Sequence, residues 1–208
     1  DMTTKKQPTK EQLQPLIQLF SFFHPVGKGV ERYLAKTVFS CSIAKGDYLQ
    51  RSGEVASNLY FIKKGIVRGF IKEDKKEITT WFAVESEIVS TITSFLMQVV
   101  TPENVQAIED CELLAISYAD LEKLYQQYPS FNFVGRKITE LYYAISENRA
   151  YITRLHNAER KYNLFLKSYP HIAKRVKLIY IASFLGITIG TLSRVRAKAS
   201  TRKKAEIV

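Results

Sequence analysis

The spacing of hydrophobic and polar positions changes along the chain, and each change predicts a different element. In the first 25 residues, apolar side chains recur at helical spacing between Leu13 and Phe20, which predicts a short helix. Thr9 can cap this helix, and Glu11 lies in the first turn, where the helix dipole favours a carboxylate. The first predicted element is therefore a helix.

Between about Thr37 and Ser117 the pattern changes to short β-rich runs separated by turn residues such as Gly46, Gly53 and Gly65. Many short strands with a turn signal every eight to twelve residues are typical of a small antiparallel barrel or sandwich. The predicted strands are Val38–Ile43, Asn58–Lys63, Ile66–Ile71, Glu77–Val84 and Cys111–Ile116. Ser117 can then cap a helix that ends before Pro129.

From Ser130 to about His156 the apolar residues are spaced alternately by four and three, which is a heptad pattern. The seam consists of Val134, Ile138, Leu141, Ile145, Asn148, Ile152 and Leu155. Charged residues flank this narrow seam, so the pattern favours a helix that pairs with a partner helix, and Asn148 can fix register and dimer state. The alternative is one long helix packed onto the barrel.

The last helices have the spacing of a helix-turn-helix. A helix that starts at Asn157 is followed by Leu178–Leu185, a turn at Gly186, and a helix from Thr188 to about Ala199. A small residue at Ala182 allows a close crossing of the two helices, and Gly186 permits the left-handed turn between them. Five apolar residues can fill the core between the helices: Ile181, Leu185, Ile187, Leu192 and Val195. The alternative is an ordinary helical hairpin.

The net charge is concentrated in the same region. Residues 154–208 hold thirteen Lys and Arg but only Glu159 and Glu206 as acids, so the formal charge of +11 of all 208 residues lies in the last quarter. A neutral module followed by a basic one is typical of a protein that binds a polyanion. The alternative is a solvated basic tail, although much of the charge lies upstream of Arg202, Lys203 and Lys204.

The second helix of the helix-turn-helix supplies the candidate DNA contacts. Its N-terminal turns are expected to read bases through Thr188, Ile189, Gly190, Thr191, Ser193 and Arg194. Arg194 is the best candidate for a bidentate contact with guanine. Phosphate contacts that set affinity and salt dependence are expected from Lys174, Arg175, Lys177, Arg196 and Lys198.

Other classes of function find no support in the sequence. The chain has no apolar run of eighteen residues, so no membrane span is expected, and no signal peptide is visible. Cys41 and Cys111 are predicted to be reduced and buried, and no spacing suits zinc or an iron–sulfur cluster. The sequence also shows no grouping of residues that is typical of a catalytic site. We expect a cytoplasmic protein that is not an enzyme and has no cofactor or metal.

The order of these parts resembles the CRP/FNR family of bacterial transcription regulators. The resemblance covers nearly the whole chain and rests on three stretches: Lys45-Gly46-Asp47 with Gly53 and Asn58–Gly65, Cys111–Ser117, and Tyr180–Arg196. It implies an α+β protein with an N-terminal double-stranded β-helix, which is a jelly-roll-like β-roll. The implied divisions are a sensory β-roll domain over residues 1–129, a dimerisation helix over 130–156, and a winged-helix-like helix-turn-helix domain over 157–208.

The resemblance also implies partners. The protein would be a homodimer that binds double-stranded DNA at a palindromic operator and contacts RNA polymerase. An effector pocket would lie between each roll and the long helix. At the recognition helix the family members that bind the familiar catabolite-activator site have an Arg-Glu pair where this chain has Ile189-Gly190. A different operator is therefore expected, with Ile189 against a thymine methyl.

The effector pocket departs from the family pattern. Members that bind cyclic nucleotides carry Gly-Glu-Leu and, ten residues after the Glu, Arg-Ser-Ala, whereas this chain has Ser90-Thr91-Ile92 and Thr101-Pro102-Glu103. The arginine that neutralises the phosphate is gone and Glu103 brings a negative charge, which argues against cyclic AMP or cyclic GMP. The resemblance places Ser90, Thr91, Thr101, Glu103 and Ser146 at the pocket. The effector is unknown or absent.

Two alternatives remain open. One is a cyclic-nucleotide-responsive regulator with an atypical phosphate site. The other is a regulatory or scaffold protein with a β-roll that does not bind DNA.

Overall fold

The computed structural model describes the backbone of residues 5–205 and the side chains of residues 5–199. The predicted basic side chains of Arg202, Lys203 and Lys204 lie outside the described residues. The first elements are helices α1 (Lys10–Phe23) and α2 (Lys28–Thr37). Thr9 and Gln12 form a reciprocal capping box at the start of α1, as sequence analysis predicted for Thr9.

Eight antiparallel strands form the roll, and they confirm the predicted β-rich region. The strands are β1 (Phe39–Ile43), β2 (Tyr48–Gln50), β3 (Asn58–Lys64), β4 (Val67–Glu73), β5 (Lys76–Ala83), β6 (Ile88–Val89), β7 (Glu103–Ala107) and β8 (Cys111–Ser117). They pair as two four-stranded sheets with the orders β1-β8-β3-β6 and β2-β7-β4-β5. Alternating side chains such as Ile43, Ile62, Val67 and Leu113 fill the space between the sheets. A short helix, α3 (Ile92–Met97), connects β6 to β7.

Helices make up the remainder of the described chain. They are α4 (Tyr118–Gln127), α5 (Phe131–Arg154), α6 (Ala158–Ser168), α7 (Ile172–Arg175), α8 (Leu178–Leu185) and α9 (Ile189–Ala205). Asn157 caps α6 by accepting a hydrogen bond from the Arg160 amide. The described residues after Ser117 contain no β-hairpin, so the winged part of the predicted winged-helix-like domain is not seen there.

The long helix α5 packs against its own protomer along part of the predicted dimer seam. Val134 is 2% exposed among the residues of α1, α2 and α4, and Ile152 is 0% exposed in the core of the C-terminal helices. The prediction that these two residues face a partner helix is therefore wrong. The heptad spacing has a different cause at these positions, because a stripe that packs on a neighbouring roll repeats with nearly the same period as a coiled-coil seam.

The rest of the seam differs in exposure. Ile138 and Ile145 are half-buried against the protomer itself. Leu141 and Asn148 are exposed at one edge of the same stripe, and the half-buried Leu155 follows the end of α5. Between them the helix also exposes Ala144 and Tyr151.

Two features of other classes of protein, a membrane-spanning helix and a group of metal ligands, are absent from the described part of the chain. No single helix is both long and apolar enough to cross a membrane, and one pair bent by 101°, Leu178–Leu185 with Ile189–Ala199, meets the criteria of length and composition only when taken together. Within residues 5–205 no three His, Cys, Asp or Glu side chains are grouped to hold a metal ion.

Candidate nucleic-acid interface and effector cavity

The helix-turn-helix forms as the spacing of the sequence predicted. Helix α8 ends at Gly186, which has the left-handed φ of 62°, and the Ile187 amide closes the turn on the carbonyl of Ala182 at 3.0 Å. The Thr188 hydroxyl accepts from the Thr191 amide at 3.1 Å and so caps α9. Leu192 is fully buried between the two helices.

The predicted base-reading face of α9 is accessible. Thr188, Ile189, Gly190, Ser193 and Arg194 are exposed, and Thr191 is half-buried. The Arg194 guanidinium lies back along the helix, with contacts of 3.4 Å to the Gly190 carbonyl and the Thr191 hydroxyl. Contacts of this length are weak and cost little to exchange for a base edge.

All five predicted phosphate contacts are exposed, and four of them form no ion pair with the described residues of the roll: Lys174, Lys177, Arg196 and Lys198. The Lys198 ammonium lies 3.2 Å from a Glu159 carboxylate oxygen, but its side chain remains 60% exposed. A surface pair of this kind is readily exchanged for a phosphate, because it contributes only about 1 kcal/mol or less.

Arg175 differs from the other four, because its guanidinium pairs with two carboxylates of the roll, and its predicted role at a phosphate stays a prediction. Its guanidinium donates to both carboxylate oxygens of Glu85 at 2.7 and 2.8 Å, and to both oxygens of Glu109 at 2.6 and 3.1 Å. These bonds hold the pKa of Glu85 at about 2, well below its ordinary value of 4.5. Arg175 ties the C-terminal helices to the roll, because four of its five N–H groups donate to these two carboxylates.

Further contacts join the helix-turn-helix to the roll, and sequence reasoning missed them. The Ser183 hydroxyl on α8 donates to the carbonyl of Glu77 and accepts from the amide of Thr79, both at 2.9 Å. Phe82 on β5 packs against Phe184 with ring centroids 5.6 Å apart. The roll and the C-terminal helices therefore share one hydrophobic core.

A buried arginine lies beneath α8 at this junction. Arg68 is 2% exposed, and its guanidinium lies 4.1 Å from the Phe70 ring centroid and 3.9 Å from that of Tyr180. It also donates to Glu77 and to Gln106. An arginine so deeply buried needs both a charge partner and aromatic faces. Its signal in the sequence is a cation within the otherwise apolar run Ile66–Ile71.

A cavity of about 480 Å³ lies between the roll and α5. Four of the residues predicted for the effector pocket line it: Ser90, Thr91, Thr101 and Glu103. Ser146 does not line the cavity but is exposed, and its hydroxyl accepts from Arg149 at 2.8 Å. That prediction is wrong because the helical spacing directs Tyr142, Ile145 and Arg149 to the cavity instead.

Hydrogen bonds from two neighbouring side chains hold Glu103 in the cavity wall. The same oxygen of its carboxylate accepts from the Thr80 hydroxyl and, at 3.0 Å, from the Trp81 indole N–H. Trp81 reaches this position because Gly69 lies opposite it in the β4–β5 pair, and a Cβ on Gly69 would come within 2.2 Å of the indole ring.

Two other polar groups lie in the wall. Burial raises the pKa of Glu87, which accepts a hydrogen bond from the Val84 amide. The Thr91 side chain is 3% exposed, and its hydroxyl has no hydrogen-bond partner among the described residues. A buried hydroxyl without a partner costs about 1–3 kcal/mol, which marks the wall as built for more than apolar packing.

One family model matches part of the chain. Residues 40–128 match the family model of the cyclic nucleotide-binding domain. No curated protein sequence matches the chain. Solved structures do match it over most of its length, at low identity.

Three of these structures illustrate the likeness. FixK2 from Bradyrhizobium japonicum is 16% identical with a TM-score of 0.68, over 80% of this chain and 86% of that one. A putative regulator of the CRP/FNR family from Eubacterium rectale is 13% identical with a TM-score of 0.67, over 89% and 88%. The c-di-GMP-responsive regulator CLP from Xanthomonas campestris is 18% identical with a TM-score of 0.63, over 85% and 93%.

The fold and the order of parts resemble those of these solved structures. The predicted resemblance to the CRP/FNR regulators is thereby confirmed, and the chain has their α+β fold over most of its length. The roles of the individual site residues stay predictions.

Proposed function

We propose that this protein is a homodimeric, sequence-specific DNA-binding transcription regulator of the CRP/FNR type that does not depend on cyclic AMP or cyclic GMP. The observation that carries the proposal is the accessible face of α9, which presents Arg194 beside capping hydroxyls within a strongly basic region. Two such helices from a dimer would enter successive major grooves, with half-sites about one helical turn apart.

The contacts divide into two kinds. Arg194, with Thr188, Thr191 and Ser193, reads base edges, and Ile189 contacts a thymine methyl. The exposed cations Lys174, Lys177, Arg196 and Lys198 bind phosphates and set affinity and salt dependence. Arg175 is left out of the second set because four of its five N–H groups donate to Glu85 and Glu109.

Dimerisation uses the exposed face of α5. Leu141, Ala144, Asn148 and Tyr151 lie along this face at spacings of three and four residues, and these spacings suit a two-helix seam. In such a seam Asn148 faces its counterpart and sets the register. RNA polymerase is the further partner expected of a regulator with this architecture.

The mechanism has two states. In one, the C-terminal helices are docked on the roll through Arg175, Ser183 and Phe184. In the other, a turn at the hinge between Leu155 and Asn157 releases them, and the recognition helices take the spacing that DNA requires. The shared core makes this a switch between two packed arrangements.

The residues of the cavity do not suit a cyclic phosphate. Glu103 brings a carboxylate into the wall, and no arginine follows Thr91 at the spacing that the family uses for phosphate. Repulsion between a phosphate and Glu103 would oppose binding at short range.

The test is selection of the purified protein on a random duplex library at two salt concentrations, with no ligand, with cyclic AMP and with cyclic GMP. An enriched palindrome that is the same in every arm is expected. Enrichment only with cyclic AMP or cyclic GMP would overturn the cyclic-nucleotide part of the proposal. Retention without enrichment and with a steep salt slope would overturn sequence-specific binding.

A further inference from the structure

The charged side chains that line the cavity beside α5 are mostly acidic. They are Glu87, Glu103 and Arg149, so two carboxylates face one guanidinium. The charge of Arg149 lowers the pKa of Glu87, against the stronger effect of burial, which raises it. Glu103 forms none of the ion pairs among the described side chains.

Glu103 also has a free oxygen. Both of its neutral donors, Thr80 and Trp81, bind the same oxygen, and the other oxygen takes no hydrogen bond from the described residues. A half-buried carboxylate with neutral partners retains most of its charge unopposed in a medium of reduced dielectric constant. A cation bound in the cavity would give the Glu103 carboxylate the charge partner that it lacks among the described side chains.

The walls around this carboxylate are aromatic and apolar. Trp81, Phe82 and Tyr142 line the cavity together with Ile71 and Ile145. Aromatic faces attract organic cations through the ring quadrupole, and they do so most strongly where water is excluded. The buried Thr91 hydroxyl without a partner lies in the same wall and adds a donor or acceptor.

We propose that this cavity binds a small organic cation, an alkylammonium or guanidinium group on an apolar or aromatic body. The charged group pairs with Glu103, and the body packs against Trp81 and Phe82. The inference rests on the proposed function in one respect, because it treats the cavity as the effector site of a DNA-binding regulator. The chemistry of the occupant is opposite in sign to a cyclic phosphate.

A ligand at this position touches the residue that supports the DNA-binding helices. Phe82 lines the cavity and also packs against Phe184 and Phe165, with centroids 5.6 and 6.4 Å away. An occupant that moves Phe82 therefore changes the contact between roll and helix-turn-helix. The contact between the roll and the helix-turn-helix is the two-state element whose equilibrium ligand binding would shift.

The experiment uses three probes with the same indole body and different charge: tryptamine as the cation, tryptophol as the neutral alcohol and indole-3-acetate as the anion. Agmatine and cyclic AMP complete the panel. Calorimetry on the 208-residue protein without DNA is expected to show that tryptamine, agmatine or both bind. If tryptamine binds, it is expected to bind at least about tenfold more tightly than tryptophol. Indole-3-acetate and cyclic AMP are expected not to bind.

Two variants test the residues. Glu103→Gln keeps a side-chain oxygen for Thr80 and Trp81 but removes the charge, and it is expected to abolish the preference for the cation. Glu112→Gln is the control, because Glu112 is an exposed carboxylate on β8 of the same roll. Thr91→Val is expected to preserve folding, since the hydroxyl it removes has no partner among the described residues, and to weaken binding of the cation.

The outcomes separate this inference from the proposed function. Failure of both tryptamine and agmatine to bind, equal binding of tryptamine and tryptophol, or a preference for the cation that survives Glu103→Gln would overturn the inference. Selection on the duplex library is independent of these results. An enriched palindrome with no cation binding would leave the regulator intact and remove its proposed ligand.

Discussion

The Ser183 hydroxyl on α8 closes the free edge of strand β5 at Thr79. It accepts from the Thr79 amide and donates to the Glu77 carbonyl, both at 2.9 Å. Strand β5 is the last strand of its sheet, so these backbone groups have no neighbouring strand on that side. A sheet edge needs a cover, and here the first helix of the helix-turn-helix supplies it.

Ser183→Ala is expected to expose this edge. The Thr79 amide and the Glu77 carbonyl lose their partner, which costs about 1 kcal/mol where water can enter. Hydrogen exchange at the Thr79 amide should accelerate at least about threefold, while amides inside the roll keep their protection. Ser130→Ala is the control, because Ser130 precedes α5 and makes no side-chain cap bond. Unchanged exchange at Thr79 would mean that Ser183 does not hold this edge in solution.

Arg175 and Lys174 are adjacent cations with opposite expected behaviour. Arg175→Ala removes both carboxylate pairs and should weaken docking of the C-terminal helices by about 1–2 kcal/mol, since an exposed pair contributes up to about 1 kcal/mol. Proteolysis near the Leu155–Asn157 hinge should become faster. The slope of DNA affinity against salt should stay unchanged, because four of the five N–H groups of Arg175 already donate to Glu85 and Glu109.

Lys174→Ala should show the reverse pattern. Its side chain is exposed, so proteolysis at the hinge should not change, and the salt slope should fall by about one phosphate contact. A reduced salt slope in Arg175→Ala would show that Arg175 leaves the roll and binds DNA.

The pair of Glu85 and Arg175 also predicts a dependence on pH. The pKa of Glu85 is lowered from 4.5 to about 2 in the docked structure, so its contribution to docking is fully present above about pH 4.5. It is lost as the pH falls from that value towards about 2, because protonation removes the charge that Arg175 binds. Glu109 faces the same guanidinium, and the Gly65 amide also donates to Glu85.

The measurement is thermal unfolding of the protein and of Glu85→Gln over the same range of pH. The variant should be less stable near neutral pH, and the difference should shrink below about pH 4.5. A difference that stays constant to the lowest pH at which the protein folds would contradict the charge pairing.

Local features of this chain were predictable from the sequence, whereas pairings across the fold were not. Thr9, Gly186 and Thr188 act on residues within five positions of themselves, so their caps and turn could be read from spacing. Arg175 lies 90 residues from Glu85 and 66 from Glu109, so its charge predicted a polyanion partner while the fold supplied two carboxylates.

The dimer helix shows a related limit. The heptad pattern in α5 was real, but it combined residues that face the protomer, such as Val134 and Ile152, with exposed ones such as Leu141. Periodicity identifies an apolar stripe and not the surface that covers it. Ser146 was misplaced for the same reason, since one residue along a helix turns the side chain by about 100°.

Arg194 is predicted to determine part of the specificity for the DNA sequence. Arg194→Ala should weaken binding to the selected operator by about 1–3 kcal/mol and relax the preference at one base of each half-site, because a bidentate contact with guanine is lost. Arg196→Ala, two residues further on, should weaken binding to all sequences alike. The two variants are compared by selection and by titration on the same duplexes. An unchanged base preference in Arg194→Ala would exclude it as a reader.

Gly186 and Gly190 form a pair in which the same substitution should have opposite effects. Gly186 has φ of 62°, and a Cβ there would meet only the Lys161 ammonium at an ordinary 3.7 Å. Gly186→Ala should therefore cost about 1 kcal/mol from backbone strain alone. Gly190 lies within α9, and a Cβ would approach only the Thr188 hydroxyl at 3.9 Å.

Gly190→Ala should accordingly stabilise the protein by up to about 1 kcal/mol, because alanine loses less backbone entropy in a helix. Urea denaturation of both variants at one pH measures the two changes in free energy of unfolding. Changes of the same sign would mean that the turn at Gly186 is not left-handed or that α9 does not extend to Gly190 in solution. If both signs hold but Gly190→Ala also weakens operator binding, the added methyl must meet the DNA, because the helix itself has become more stable.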